Sequence, residues 1–273
     1  MTLTRSQVTR LLAEHGIRPS RALGQNFVAD PNTVRRIARL ASVGPGDRVV
    51  EIGAGLGSLT LALAEAGPSV TAIEIDRYLL PVLRSVVSPV GVEVVAGDAL
   101  RLDWPALLGS ECSEWVLVAN LPYNVATPLV ADLLDGVPQI SRMLVMVQRE
   151  VGERLAAPAG SPAYGAVSVK VAYWARAAVV GRVPPTVFVP PPKVESALVS
   201  ITRRSDGPAT SAPYDRLFEL VRAGFAGRRK MLRRALAGAG VSADAFEAAG
   251  VRPEARAEEL DVIEWGRLAS CSP

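Results

Sequence analysis

From about residue 48 onward, short runs rich in Val and Ile alternate with stretches of helical periodicity. Residues 48–52 read as a strand that ends in glycines, 59–66 as a helix, 70–75 as a strand and 78–87 as a helix. Runs at 92–96, 115–119 and 143–147 supply further strands, with a helical pattern over 128–134 between the last two. This alternation predicts an α/β fold whose sheet is mostly parallel and covered by helices on both faces. Two later runs, 178–183 and 197–202, also read as strands, the second as the one that closes the sheet. Ahead of the sheet, Asp30-Pro31 is a helix start, and Val34, Ile37, Ala38 and Ala41 follow at i, i+3, i+4 and i+7. Arg35, Arg36 and Arg39 are left on another side of that helix.

Residues 205–213 are small residues and turn formers and read as a linker, beyond which the periodicity is helical only. Leu217, Leu220 and Val221, then Met231, Leu232, Ala235 and Leu236, predict short amphipathic helices. The expected division is a sheet domain over 1–204 with a basic N-terminal extension, the linker 205–213, and a small α-helical domain over 214–273.

Composition narrows the chemistry. With 49% hydrophobic and 21% charged residues the chain has the material for a core, which excludes general disorder. Neither a long apolar run nor an apolar signal-peptide centre stands in the sequence, so a cytoplasmic protein without a membrane anchor is expected. Cys112 and Cys271 are far apart and His15 is the single histidine, so a disulfide framework, a zinc site and histidine-based catalysis all lack residues. No metal is expected, and His15 is expected at the surface. Charge is concentrated: residues 1–40 carry a net +5 and residues 216–236 a net +6 against +3 for the whole chain. Two basic regions around a mildly acidic body suit a polyanionic partner.

Candidate chemistry begins at Glu51-Ile-Gly53-Ala-Gly55-Leu-Gly57, a glycine turn that lets a ligand approach backbone. Glu74, at the end of the next strand, is placed for a carboxylate that accepts two ribose hydroxyls. Asp98 ends the third strand, where it can meet an adenine amine or serve as a turn residue. Glycine spacing alone also suits a nicotinamide cofactor. Glu51 and the Gly-x-Gly-x-Gly spacing favour S-adenosylmethionine. After the fourth strand comes Asn120-Leu121-Pro122-Tyr123. There the Asn120 oxygen and a loop carbonyl can accept the two N–H bonds of an exocyclic adenine amine, while Tyr123 stacks on the base.

Taken with Leu23-Gly-Gln-Asn-Phe27, Ile73-Glu-Ile-Asp76, Gly97-Asp-Ala99, Gln148-Arg-Glu-Val151, Tyr164-Gly165, the segment from Val183 to Ser196 and the segment from Phe225 to Arg234, these blocks resemble the KsgA-type ribosomal RNA adenine dimethyltransferases. Nine blocks occur in order from Arg21 to the C-terminal helices. The resemblance implies a Rossmann-like class I methyltransferase sheet. It also implies S-adenosylmethionine contacts at Asn26, Val28, Gly53, Gly55, Glu74, Asp98 and Asn120, and a catalytic set of Asn120, Leu121, Pro122, Tyr123 and Phe188, with Phe188 facing Tyr123 across the target base. The implied reaction dimethylates N6 of two adjacent adenosines in the 3′-terminal hairpin of 16S ribosomal RNA. The enzyme would act as a monomer on an immature small ribosomal subunit, and Arg228, Arg229, Lys230, Arg233 and Arg234 would grip RNA. Three rivals differ in class: a large-subunit RNA methyltransferase, an NAD-dependent oxidoreductase, and a non-catalytic RNA-binding assembly factor.

Overall fold

The structure is a computed structural model that describes residues 2–109, 114–122 and 125–272. Cys112 and Tyr123 lie outside the described residues. In chain order the elements are α1 (Arg5–Glu14), β1 (Phe27–Val28), α2 (Pro31–Ala41), β2 (Arg48–Ile52), α3 (Ser58–Ala66), β3 (Ser69–Glu74), α4 (Leu80–Val87), β4 (Glu93–Ala96), α5 (Trp104–Leu108) and β5 (Trp115–Asn120). There follow α6 (Ala126–Gly136), β6 (Ile140–Gln148), α7 (Arg149–Leu155), α8 (Ala166–Trp174), β7 (Ala175–Val183), β8 (Phe188–Val189) and β9 (Ser196–Arg203). The last four are α9 (Tyr214–Ala226), α10 (Leu232–Ala235), α11 (Ala243–Ala249) and α12 (Val262–Ser270). None of the described helices is long and apolar enough to cross a membrane.

The first compact unit, Met1–Gly152 with Ala178–Arg203, is built on a seven-stranded sheet of order β4-β3-β2-β5-β6-β9-β7. Strands β4, β3, β2, β5 and β6 run parallel, and β9 pairs antiparallel to β6. Every side chain of β5 from Trp115 to Ala119 is buried, as suits a central strand covered on both faces. Helix α2 starts where the sequence indicates: Asp30 caps it by accepting from the Thr33 N–H at 2.8 Å, and Pro31 occupies the first turn. Its buried residues are Val34, Ile37, Ala38 and Ala41, the four positions the periodicity assigns to the core. Burying each of its large aliphatic side chains is worth about 1.5–3 kcal/mol.

The boundary between units departs from the sequence expectation. The second unit, Glu153–Ala177 with Arg204–Pro273, takes α8 out of the middle of the chain. Tyr164, Val169 and Tyr173 are buried in one cluster with Leu217, Phe218 and Trp265, so non-local packing decides where residues 153–177 belong. Residues 205–213 are likewise not a free linker, because the Ala209 N–H donates to Tyr173 O at 2.8 Å and Ala212 is buried in the same cluster.

In the first unit Arg203, at the end of β9, bonds the carbonyls of Leu133, Leu134, Val137 and Ile140 at 2.9–3.2 Å. One guanidinium thereby bridges the C-terminal end of α6 and the start of β6, where the carbonyls of Leu133 and Val137 also accept the N–H groups of Val137 and Ile140. Arg203→Met is expected to cost about 2–4 kcal/mol, since it removes the four hydrogen bonds of one part-buried guanidinium. Urea unfolding measures this, and a change below about 0.5 kcal/mol would show the latch to be incidental.

Candidate functional site

The cleft sits at the carboxyl ends of β2, β3 and β5, where the chain order reverses direction across the sheet and adjacent connections diverge. Three glycines after β2 make the turn: Gly53, Gly55 and Gly57 have φ of 73°, 60° and 85°. A Cβ on Gly55 would press on the Phe27 ring at 3.1 Å, so both its backbone angle and the close approach of β1 require glycine. The Gly55 N–H donates to Glu74 Oε2 at 2.8 Å, and the Asp76 N–H donates to Oε1 at 2.9 Å. These two bonds fix the carboxylate at the end of β3, and each oxygen keeps acceptor capacity for a further donor.

The cleft encloses about 650 Å³ of space open to solvent, and its walls include Asn26, Val28, Glu51, Gly53, Gly55, Glu74, Asn120 and Pro122. A second, more apolar hollow bordered by Ile52, Ile73, Asp98, Leu100 and Leu129 adjoins it, the two sharing Leu23, Gly53, Ile75 and Pro122. Ile75 and Leu100 are large apolar side chains yet 52% and 45% exposed, as befits the lips of a slot for a flat apolar group.

The electrostatics are unusual. Glu51 is 2% exposed, and its Oε2 has no hydrogen-bond partner among the described residues. Burial pushes its carboxyl up to about 8, with the Thr60 side chain opposing the shift and the Glu74 charge adding to it. Burial also raises Glu74, against the backbone hydrogen bonds from Asp76, Gly55 and Ile75. Ser58 Oγ, another buried polar atom on the cleft wall, has no partner among the described residues. Orphaned acceptors beside a glycine cradle suit a ligand carrying positive charge and hydrogen-bond donors.

Asn120 ends β5, and its Nδ2 donates to Asn26 O at 3.1 Å. That bond orients the amide so that Oδ1 is the atom available as acceptor on the other side. Asn26 in turn donates from Nδ2 to Gly24 O at 3.2 Å. Gln25, which sequence reasoning passed over, joins the loop to the end of β3: its Nε2 donates to Asp76 Oδ2 at 2.7 Å, and its Oε1 accepts from the Ser20 N–H at 2.7 Å. No periodicity marks residues 20–26. Only the block Leu23-Gly-Gln-Asn-Phe27 signalled them, and only through the resemblance.

Not every candidate reaches the cleft. Leu121 is 1% exposed and its N–H donates to Met146 O at 3.0 Å, so it anchors the loop rather than lining the cleft. Phe188 is also 1% exposed and packs in the core with Val28, Val34, Met146 and Leu198. Its pairing with Val28 in the β1–β8 ribbon makes it a support of the cleft wall, in place of the exposed stacking surface the resemblance implies. Tyr123 lies outside the described residues. Asp98 is a turn residue on the border of the apolar hollow: its Oδ1 accepts from the Leu100 N–H at 3.0 Å and its Oδ2 lies 3.8 Å from the Arg101 guanidinium. His15 is exposed at the end of α1, as expected.

In the second unit the five basic candidates are all exposed, but they are not equivalent. Arg228 pairs with Glu258 at 2.7 Å and donates to Pro162 O, and Arg233 pairs with Glu254 at 3.4 Å. Arg229, Lys230 and Arg234 have no ion-pair partner among the described residues. The described residues contain no cluster suited to a metal ion.

The comparisons with known proteins agree with this geometry. Residues 17–271 match the family described as ribosomal RNA adenine dimethylase. A Kineococcus radiotolerans protein named ribosomal RNA small subunit methyltransferase A is 50% identical, the match covering 99% of this chain and 92% of the relative. Its namesake from Cutibacterium acnes is 49% identical over 97% of this chain and 93% of the relative. Among solved structures, the 23S rRNA methyltransferase ErmE superposes with a TM-score of 0.71 at 28% identity, covering 90% of this chain and 99% of that one. A dimethyladenosine transferase from Plasmodium falciparum gives 0.75 at 25% identity, covering 89% and 95%. Sequence and fold together place the chain in the ribosomal RNA adenine dimethylase family.

Proposed function

We propose that this protein transfers methyl groups from S-adenosylmethionine to N6 of two adjacent adenosines in the 3′-terminal hairpin of 16S ribosomal RNA. It would act as a cytoplasmic monomer on an immature small subunit. The observation that carries the reading is the convergence of an oriented Asn120 amide, the glycine turn and Glu74 around one cleft. The cofactor when bound supplies an electrophilic methyl carbon on a sulfonium centre. Glu74 then accepts the ribose hydroxyls, the hollow beside Asp98 takes the adenine ring, and Glu51 with Ser58 faces the polar tail. Small-subunit RNA is preferred over large-subunit RNA because the relatives near 50% identity carry the small-subunit name, whereas ErmE stands at 28%.

Asn120 works on the second substrate. An exocyclic adenine amine is a poor nucleophile because its lone pair is delocalised into the ring. Asn120 Oδ1 and a loop carbonyl accept its two N–H bonds and favour a pyramidal nitrogen with its lone pair directed at the methyl group. No strong base is needed, since the methylated amine is acidic enough to lose its proton to water. The target base must leave its stack, which costs a few kcal/mol and least within a loop.

The direct experiment incubates the protein with labelled methyl donor and undermethylated small subunits, then maps modified nucleotides by mass spectrometry. Label confined to large-subunit RNA selects the rival substrate. Asn120→Ala is expected to abolish transfer while leaving methyl-donor affinity within about threefold, a loss of transition-state rather than ground-state interaction. Undiminished turnover by that variant would sink the proposed amine site. Because Glu51 holds its proton up to about pH 8 and a cation in the cleft favours the ionised form, methyl-donor affinity is expected to rise with pH toward that value. Calorimetry should find the rise flattened in Glu51→Gln, and superimposable profiles would remove Glu51 from cofactor binding. Replacing Arg229, Lys230 and Arg234 together by Gln is expected to weaken subunit binding and to lower its salt dependence, whereas Arg228→Gln alone should act mainly on stability through Glu258. Sedimentation with subunits at two salt concentrations separates the two effects.

A further inference from the structure

The loop before β1 carries a contact that the transfer chemistry above does not use. Residues 20–25 fold back on themselves: the Gln25 N–H donates to Ser20 O at 3.1 Å, the Gly24 N–H donates to Arg21 O at 3.1 Å, and Gln25 Oε1 accepts from the Ser20 N–H at 2.7 Å. The other end of the same amide points out of the loop, where Nε2 donates to Asp76 Oδ2 at 2.7 Å across 51 positions of sequence. Gln25 and Asp76 are both half-buried. Asp76 has ties of its own, since its Oδ1 accepts from the Tyr78 N–H at 2.9 Å and its N–H donates to Glu74 Oε1 at 2.9 Å. Next to Gln25 stands Asn26, whose carbonyl accepts from Asn120 Nδ2 at 3.1 Å. The residue after it, Phe27, is paired with Val189 in the β1–β8 ribbon.

We propose that Gln25 is a positioning residue for methyl transfer: through Asp76 it fixes the Asn26 carbonyl that orients the Asn120 amide. The inference rests on the adenine-methylating reading above and adds to it a residue outside the set that reading uses. Asn26 is held on its C-terminal side by paired backbone. On its N-terminal side stands a turn whose own hydrogen bonds are internal, and of the bonds just named only the one to Asp76 joins that turn to the sheet. The Gln25 amide is also fixed in sense, because a half-turn would set its oxygen against Asp76 Oδ2 and its NH2 group against the Ser20 N–H. Without this anchor the turn can drift and carry the Asn26 carbonyl with it, and a misplacement of about 1 Å at a reacting group costs up to about a hundredfold in rate. Glu74 is affected far less, since its bonds come from the backbone N–H groups of Gly55 and Asp76. The loss should therefore fall on turnover more than on methyl-donor binding.

The test uses the full-length protein, saturating methyl donor and undermethylated small subunits. Gln25→Glu sets a second acceptor against Asp76 Oδ2, and Asp76→Asn either sets a second donor against Gln25 Nε2 or gives up the Tyr78 N–H, all at nearly constant shape. Each is expected to lower kcat about tenfold. Methyl-donor Kd, read by calorimetry without RNA, should stay within about threefold. The double variant Q25E/D76N again faces a donor with an acceptor, with the roles exchanged and the total charge unchanged. It is expected to return kcat to within about threefold of the unmodified protein, a recovery that a residue serving only to fill space would not show. Thermal unfolding of all three variants separates a lost rate from a lost fold. Single variants that keep kcat within about twofold, a double variant no better than its parents, or a loss of kcat that only follows the folded fraction overturns the role of Gln25 and leaves the functional reading standing. Label appearing only in large-subunit RNA changes the substrate, and the same variants are then measured on that RNA. An unmodified protein that methylates neither RNA overturns the functional reading, and this inference with it.

Discussion

Between the end of β5 and the short strand β1 runs a hydrogen bond from the Asn120 amide nitrogen to the Asn26 carbonyl, joining residues 94 apart in sequence. An asparagine amide rotated by half a turn would turn a donor, in place of an acceptor, to its other side. The Asn26 carbonyl is an acceptor, so it selects the orientation that leaves Oδ1 available on the other side. Much of the surrounding architecture holds Asn26 in place. Gln25 ties the loop to Asp76, β1 is paired to β8, and Arg5 bonds the carbonyls of the segment that carries β8. A cleft side chain at the end of a rigid strand is thus oriented by a loop that three separate elements immobilise.

The cleft has two electrostatic characters. Both acids are buried, but Glu74 is held by two backbone N–H groups, whereas Glu51 has an acceptor oxygen without a partner among the described residues. Such a group costs stability in the empty protein unless it stays protonated, and a cationic ligand reverses that preference. The folded state therefore carries a local cost at this position, and burial rules are most often broken in this way at functional sites.

Much of this was legible in the sequence, and the omissions have physical causes. The parallel strands and α2 announce themselves through β-branched runs and clean periodicity. The glycine turn, Glu74 and Asp98 fall at strand ends by simple counting. The β1–β8 ribbon, two residues per strand, is too short to carry any periodicity, so Asn26 came only from resemblance and Phe188 was assigned to the base rather than the core. Helix α8 went unread because its residues, from Ala166 to Trp174, are apolar on nearly every side, with no polar stripe to set the period. The unit boundary failed for a related reason: residues 153–177 find their burial partners beyond residue 204, which no local window reports. Within the basic C-terminal segment, composition could not distinguish Arg228, consumed by Glu258, from Arg229, which is not.

The ribbon has a bearing on biosynthesis. Phe27 cannot pair until Val189 has been made, so one wall of the cleft waits for about 160 residues of translation after its first strand appears. The parallel core strands β2 to β6 meet partners much closer in sequence. A nascent chain on the ribosome can therefore assemble most of its sheet while still unable to grip a small molecule there. Competence for ligand capture arrives late and abruptly, when the proline-rich segment clears the exit tunnel.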